Sequence, residues 1–273
     1  MFRFRALASS LLVGVAFSVA GCTAPEPAPK VPFGEFEIGQ FGGVAGRQNI
    51  LHVRPDGLAL LVSNQPAAGR LSPSRLDRLR TLLESEGLRR EVAAAADAER
   101  KPPRCADLFS TSVVMGSLRM SVEERCGSET RPATPAFDEI ISLTAPAMAG
   151  NFDGPVDVLD PRLVGLQLER PAYGDHTAFT VTVDPDGHGT LAYAGTVRRR
   201  LLLEPADRDV LRLLVGRLME EPTQPCLPTQ KTYYRLLITA APASSGPDCS
   251  YRDRAREFYA VAQLLQRALD VEV

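Results

Sequence analysis

The sequence predicts an α+β protein of two similar domains, each an antiparallel sheet of hairpins packed with two helices. Three observations lead there. A Pro-Asp-Gly turn separates two extended apolar stretches twice, at Pro55-Asp56-Gly57 and Pro185-Asp186-Gly187. A leucine-rich segment of helical spacing follows each turn, and a pair of cysteines and a second helix follow that. Strands that come in hairpins pair antiparallel, and amphipathic helices in the same unit cover one face of the sheet.

In the first copy the extended stretches are Gly34–Gln40, Gln48–Arg54 and Leu58–Ser63. In the second they are Val164–Glu169, Thr177–Val183 and Thr190–Ala194. Asp-Gly between apolar runs signals a hairpin because glycine reaches the positive φ of a tight turn. The helices begin after Leu71-Ser72-Pro73-Ser74 and Leu203-Glu204-Pro205-Ala206. Proline in a first helical turn costs no hydrogen bond, since its missing N–H would have had no partner. Leu76, Leu79, Leu82 and Leu83 share a helical face, as do Val210, Leu211, Leu214 and Leu218. Strands at Ser110–Met115, Ser117–Glu123 and Thr232–Ala240 follow. The last helices carry Phe137, Ile140, Ile141 and Leu143 in one copy and Phe258, Val261, Ala262 and Leu264 in the other. The triplet Arg198-Arg199-Arg200 reads as a charged loop before a helix.

Ahead of the repeat, residues 1–21 have the parts of a secretory signal: Arg3 and Arg5, the apolar run Ala6–Val19, and small residues before Cys22. The apolar run is shorter than the roughly 20 residues that span a bilayer. Val19-Ala20-Gly21-Cys22 resembles the lipobox of bacterial lipoproteins. That resemblance implies cleavage before Cys22, lipid (palmitate and related acyl chains) on its thiol, and an extracytoplasmic protein anchored to the cell membrane. Residues 22–33, rich in proline, form a semi-rigid tether. The domains are then expected at 34–148 and 162–273, with a linker over Ala149–Pro161.

With Cys22 set aside, Cys105, Cys126, Cys226 and Cys249 remain, an even number in an oxidising compartment. Three pairings are open on paper. The repeat selects Cys105–Cys126 and Cys226–Cys249, one bridge per copy, with bridges between copies as the alternative. Each closure is worth about 3 kcal/mol in the chain-entropy model.

The formal net charge is −2, without the basic excess of a nucleic-acid binder. The 31 basic residues include only three lysines, Lys30, Lys101 and Lys231, and Trp is absent. No zinc-protease HExxH, nucleophile-elbow or phosphate-loop pattern occurs, and the cysteines lack zinc-ligand spacing. The expectation is a binding protein without catalytic residues, cofactor or metal. Asp184-Pro185-Asp186-Gly187-His188 has a faint likeness to a calcium loop, but the matching turn at Arg54-Pro55-Asp56-Gly57 lacks the first carboxylate and favours a plain hairpin. Asp175, His176 and His188 read as loop residues flanking a strand.

The segment Gly42, Gly43, Val44, Ala45, Gly46, Arg47 stands apart, because its three glycines between two strands permit close approach to another surface. It reads equally as a flexible connection or as a partner-binding loop. The run FGGVAGRQNILHVRPDG, followed by LSPSRLDRLRTLL, resembles the emfourin family. Its founding members are compact α/β inhibitors of protealysin-type, thermolysin-like zinc proteases. The resemblance covers Phe36–Leu83, with Gly42, Gly43, Ala45 and Gly46 on the family's glycine segment and Val44 in place of its Phe. It implies a protein partner, a secreted metalloprotease, met by Gly42–Arg47. The second copy has Arg170-Pro171-Ala172-Tyr173-Gly174-Asp175-His176 there, without the double glycine. A non-inhibitory envelope scaffold is the alternative function.

Overall fold

A computed structural model describes residues 32–42, 47–98, 109–123, 134–157, 165–170, 178–219, 235–238 and 255–269. It has the expected α+β class, with two antiparallel sheets and five helices among those residues. The first half runs β1 (Phe36–Gly42), β2 (Arg47–Val53), β3 (Leu58–Val62), β4 (Ala67–Arg70), α1 (Pro73–Leu83), α2 (Glu86–Ala98), β5 (Phe109–Met115), β6 (Leu118–Glu123) and α3 (Pro135–Met148). The second runs β7 (Leu166–Arg170), β8 (Phe179–Val183), β9 (His188–Tyr193), β10 (Thr196–Leu202), α4 (Pro205–Met219), β11 (Arg235–Ile238) and α5 (Ala255–Leu269).

The two sheets share one strand order. Sheet 1 is β4-β3-β2-β1-β5-β6 and sheet 2 is β10-β9-β8-β7-β11, so β1 answers β7 and β5 answers β11. The hairpin turns match in their backbone hydrogen bonds. Gly57 (φ 85°) donates its N–H to Arg54 O at 2.9 Å, and Gly187 (φ 86°) donates to Asp184 O at 3.0 Å. Leu71 N–H then reaches Gly57 O, and Leu203 N–H reaches Gly187 O, both at 2.9 Å. The positive φ is the conformation for which the sequence needs glycine in both copies.

Burial reveals a layered arrangement that the one-faced expectation did not include. Phe36, Ile38, Leu51, Val53, Ala59 and Leu61 point to one face of sheet 1 and share a core with α1, α2 and α3. The alternate positions Ile50, Leu60 and Val62 point to the other face and join the core of the second half, against Leu211, Leu214, Val261 and Leu264. Helices α4 and α5 therefore lie between the two sheets. Their burial suits that place: in α5, Phe258, Ala260, Val261, Ala262, Leu264 and Leu265 are all buried, an arc far wider than one stripe. Sheet 2 buries a single face, and β8 alternates from buried Phe179, Val181 and Val183 to half-buried Thr180 and Thr182.

Four features depart from or extend the sequence expectations. Strand β4 closes sheet 1 beyond β3, although AAGR carries little strand signal. Helix α2 supplies Glu91, whose carboxylate accepts the N–H groups of Ala136 and Phe137 at 2.9 and 3.0 Å. It thereby serves the orphan donors at the start of α3, whose preceding Thr134 makes no side-chain cap. Arg198, Arg199 and Arg200 are not a loop but part of β10, with a bulge between Val197 and Arg199. An edge strand tolerates charge, and the exposed Arg199 donates from Nη1 to Leu269 O at 2.6 Å, at the carbonyl end of α5.

The expected linker begins as a strap. Gly154 bridges to Arg70, Asp153 Oδ2 accepts the Ser72 N–H at 2.7 Å, and Arg75 pairs with Asp153 at 3.1 Å. Phe152 lies over Gly69, where an added Cβ would come 2.3 Å from the Phe152 side chain.

Candidate functional site

The β1–β2 hairpin holds register from Phe36↔Val53 through Phe41↔Gln48 to Gly42↔Arg47. On its other side β1 pairs with β5 as far as Gly42↔Phe109. The root of the glycine segment is thus set at the end of β1, which has partners on both sides, and of β2, which pairs there with β1 and joins β3 from Ile50 onward. Gly42 has φ 121°, a conformation that residues with a Cβ rarely adopt. Gly43, Val44, Ala45 and Gly46 lie outside the described residues.

Around this root the structure gathers groups from distant parts of the chain. Phe109 stands 44% exposed beside Gly42. Phe41 packs against the core shared with the second half, and its ring lies over Gly39, where a Cβ would meet it at 2.3 Å. The Arg256 guanidinium sits 4.6 Å from the centre of the Phe41 ring, and its Nε donates to Gln48 Oε1 at 3.0 Å.

Further along the same face lies a charged cluster that the sequence reading missed. His52, almost wholly buried, places Nδ1 3.1 Å from Glu37 and 4.0 Å from Glu35, and Nε2 3.6 Å from Glu257. These contacts fall outside hydrogen-bond geometry. Arg217 of α4 stands 3.6 Å from both Glu37 and Glu257 and donates to Glu35. Burying a carboxylate such as Glu257 is costly unless opposite charge meets it, and Arg217 does so. The cluster ties β1 and β2 to α4 and α5, so the contact between the halves is ionic as well as apolar. Two signals could have marked it: His52 inside the apolar strand ILHV, and Glu257 on the apolar arc of α5.

The other expected site residues are distributed as follows. Asp184, Asp186 and His188 gather at the second turn with ligand-type atoms within 4.8 Å of one another, all exposed. Asp184 Oδ1 accepts the N–H groups of Asp186 and His188 at 2.9 and 2.8 Å, so this carboxylate closes the turn. Asp175 and His176 lie outside the described residues, as do Cys22, Cys105, Cys126, Cys226 and Cys249. No helix among the described residues is long and apolar enough to cross a membrane. Comparison with protein-family models finds no match, and comparison with curated proteins finds none either.

Proposed function

We propose that the chain is a membrane-anchored extracytoplasmic lipoprotein that binds a protein partner and inhibits a thermolysin-like metalloprotease. Lipid on Cys22 holds it to the membrane, residues 22–33 act as its tether, and domains at 34–148 and 162–273 form a non-catalytic body braced by Cys105–Cys126 and Cys226–Cys249. The partner meets the backbone of Gly42–Arg47.

The observation that carries this reading is the hairpin root. The β1–β2 register runs unbroken to Gly42↔Arg47, and β1 is also paired with β5 to that point, so a glycine-rich connection leaves a strand held on both sides. Loops on rigid sheets are where recognition concentrates. Sequence supplies the rest: the segment's likeness to emfourin, and the cysteine that follows an apolar signal.

Titration of a thermolysin-like protease with the lipid-free mature protein tests it. Stoichiometric inhibition is expected, with Gly43→Glu abolishing it. An uninhibited enzyme would remove the protease assignment. Labelled palmitate should enter the parent chain and not Cys22→Ser, which should leave the membrane fraction. The scaffold reading draws on the outward face of sheet 2, where Gln167, Thr180, Thr182 and Thr190 are polar and only half-buried. Cross-linking in membranes separates the two readings, since an inhibitor should capture a zinc enzyme.

A further inference from the structure

Helix α5 lies in the second half of the chain, yet its first turn rests on the first half's hairpin. Phe41 and Gln48 are opposite one another, one pair before the final Gly42↔Arg47. Arg256 touches both, with its guanidinium over the Phe41 ring and its Nε on Gln48 Oε1. One side chain therefore spans the two strands where they are about to part. The ring it covers is held from below, because Gly39 has no Cβ and Phe41 fills that space.

The placement of Arg256 differs from that of its neighbours on α5. Glu257 is buried in the ionic cluster, and Phe258, Val261 and Leu264 are buried in the core. Those residues dock the helix. Arg256 is exposed, and it reaches the two hairpin residues Phe41 and Gln48. A guanidinium stacks on an aromatic face and donates hydrogen bonds in its own plane, so it suits one ring and one amide oxygen together.

We propose that Arg256 is a positioning residue for the hairpin root of the partner-binding loop: it clamps Phe41 to Gln48 and so holds the end of the two strands, Gly42 opposite Arg47, in place. The second copy, which lacks the double glycine, then contributes a brace for the first copy's loop. This rests on the loop reading above for its functional half only, because the brace itself is a property of the free protein.

The experiment uses the lipid-free mature chain as parent, Arg256→Ala, Arg256→Lys and Arg267→Ala. The last removes an arginine contact (to Asp207, 2.7 Å) on the same helix at a distance from the hairpin. Amide exchange at Phe41, Gly42 and Gln48 is followed alongside inhibition of a thermolysin-like protease. Exchange at Leu51 reports that the core is intact.

Arg256→Ala should speed exchange at the hairpin root about tenfold and weaken inhibition by a similar factor, the combined size of one cation–π contact and one hydrogen bond. Leu51 should not change, Lys should restore part of both effects, and Arg267→Ala should produce neither. Unchanged exchange at the root overturns the proposal, whether or not a protease is inhibited. Faster exchange with undiminished inhibition also overturns it. If the parent inhibits nothing while Arg256→Ala still loosens the root, the brace stands and the inhibitor reading falls.

Discussion

Sheets 1 and 2 repeat one strand order but occupy different places in the molecule. Sheet 1 lies between two helical layers, so β3 is buried at every residue from Leu58 to Val62. Among the described residues sheet 2 has helices on one face only, and β8 alternates between buried and half-buried positions. The same meander thus serves as an interior layer in one copy and an outer wall in the other. Duplication of a motif does not duplicate its environment; the second copy's helices serve both sheets, and the first copy's helices serve one.

The largest expected effect would come from breaking the charged contact that supports this asymmetry. Arg217→Met leaves buried Glu257 without its arginine, and loss of one partner from a buried ion pair costs about 3–5 kcal/mol. Urea unfolding would measure it, and a loss below 1 kcal/mol would mean the cluster is not what joins the halves. The two-faced burial makes the next prediction. Leu60→Ala and Leu61→Ala point to opposite faces of sheet 1, and each should cost about 2–5 kcal/mol. In β9, Leu191→Ala should fall in the same range, while its outward neighbour Thr190→Ala should lose about 1 kcal/mol, the scale of its hydrogen bond to Thr182. If Leu60→Ala were as mild as Thr190→Ala, sheet 1 would have to be reclassified as one-faced.

The paired turns sharpen the comparison at a smaller scale. Gly57→Ala and Gly187→Ala both force a side chain into positive φ, at about 1–2 kcal/mol. Gly57→Ala should be the worse, because its Cβ would lie 3.2 Å from the Leu71 carbonyl oxygen, which is backbone. At Gly187 the nearest obstacle is the Arg208 side chain, which can swing aside. Thermal unfolding of the two variants would rank them.

The smallest effect belongs to an exposed bridge in the first half. Arg78 of α1 binds Glu139 of α3 through two hydrogen bonds, of 2.6 and 2.8 Å. Those bonds, opposed by desolvation and helped by the arginine's charge, hold the Glu139 carboxyl below its ordinary value. A carboxyl lowered in the folded state stabilises the fold above its unfolded value, and that contribution fades as pH falls through the lowered one. NMR titration should therefore give Glu139 a midpoint below that of an unpaired glutamate, and Arg78→Met should raise it.

Much of this fold is legible locally. The Asp-Gly turns, the proline-led helices and the hairpin strands each carry a signal a few residues wide, and the two copies reinforce one another. The layers are less legible, though a hint was present. LALLV is a continuous apolar run, whereas FTVTV alternates, and continuity is the mark of a strand covered on both faces. Strand β10 was hidden because VRRR looks like a solvated loop until an edge position and a bulge make room for it. The site was legible only in part: the glycines mark the hairpin root, but nothing near them in sequence points to Arg256. Likewise His52 and Glu257 each break an apolar pattern, and only the fold shows that the two exceptions answer each other.

Placing the last helix against the first hairpin also has a temporal consequence. The Arg256–Gln48 contact closes a separation of 208 residues, and Arg217–Glu35 one of 182. Contacts so distant in sequence form late, since the chain must lose the entropy of a long loop before they repay it. Until α4 and α5 arrive, Ile50, Leu60 and Val62 face water on a sheet whose other side is already packed. A first half folded ahead of the second would expose that apolar face, and exposed apolar surface on a partly folded chain is what aggregates.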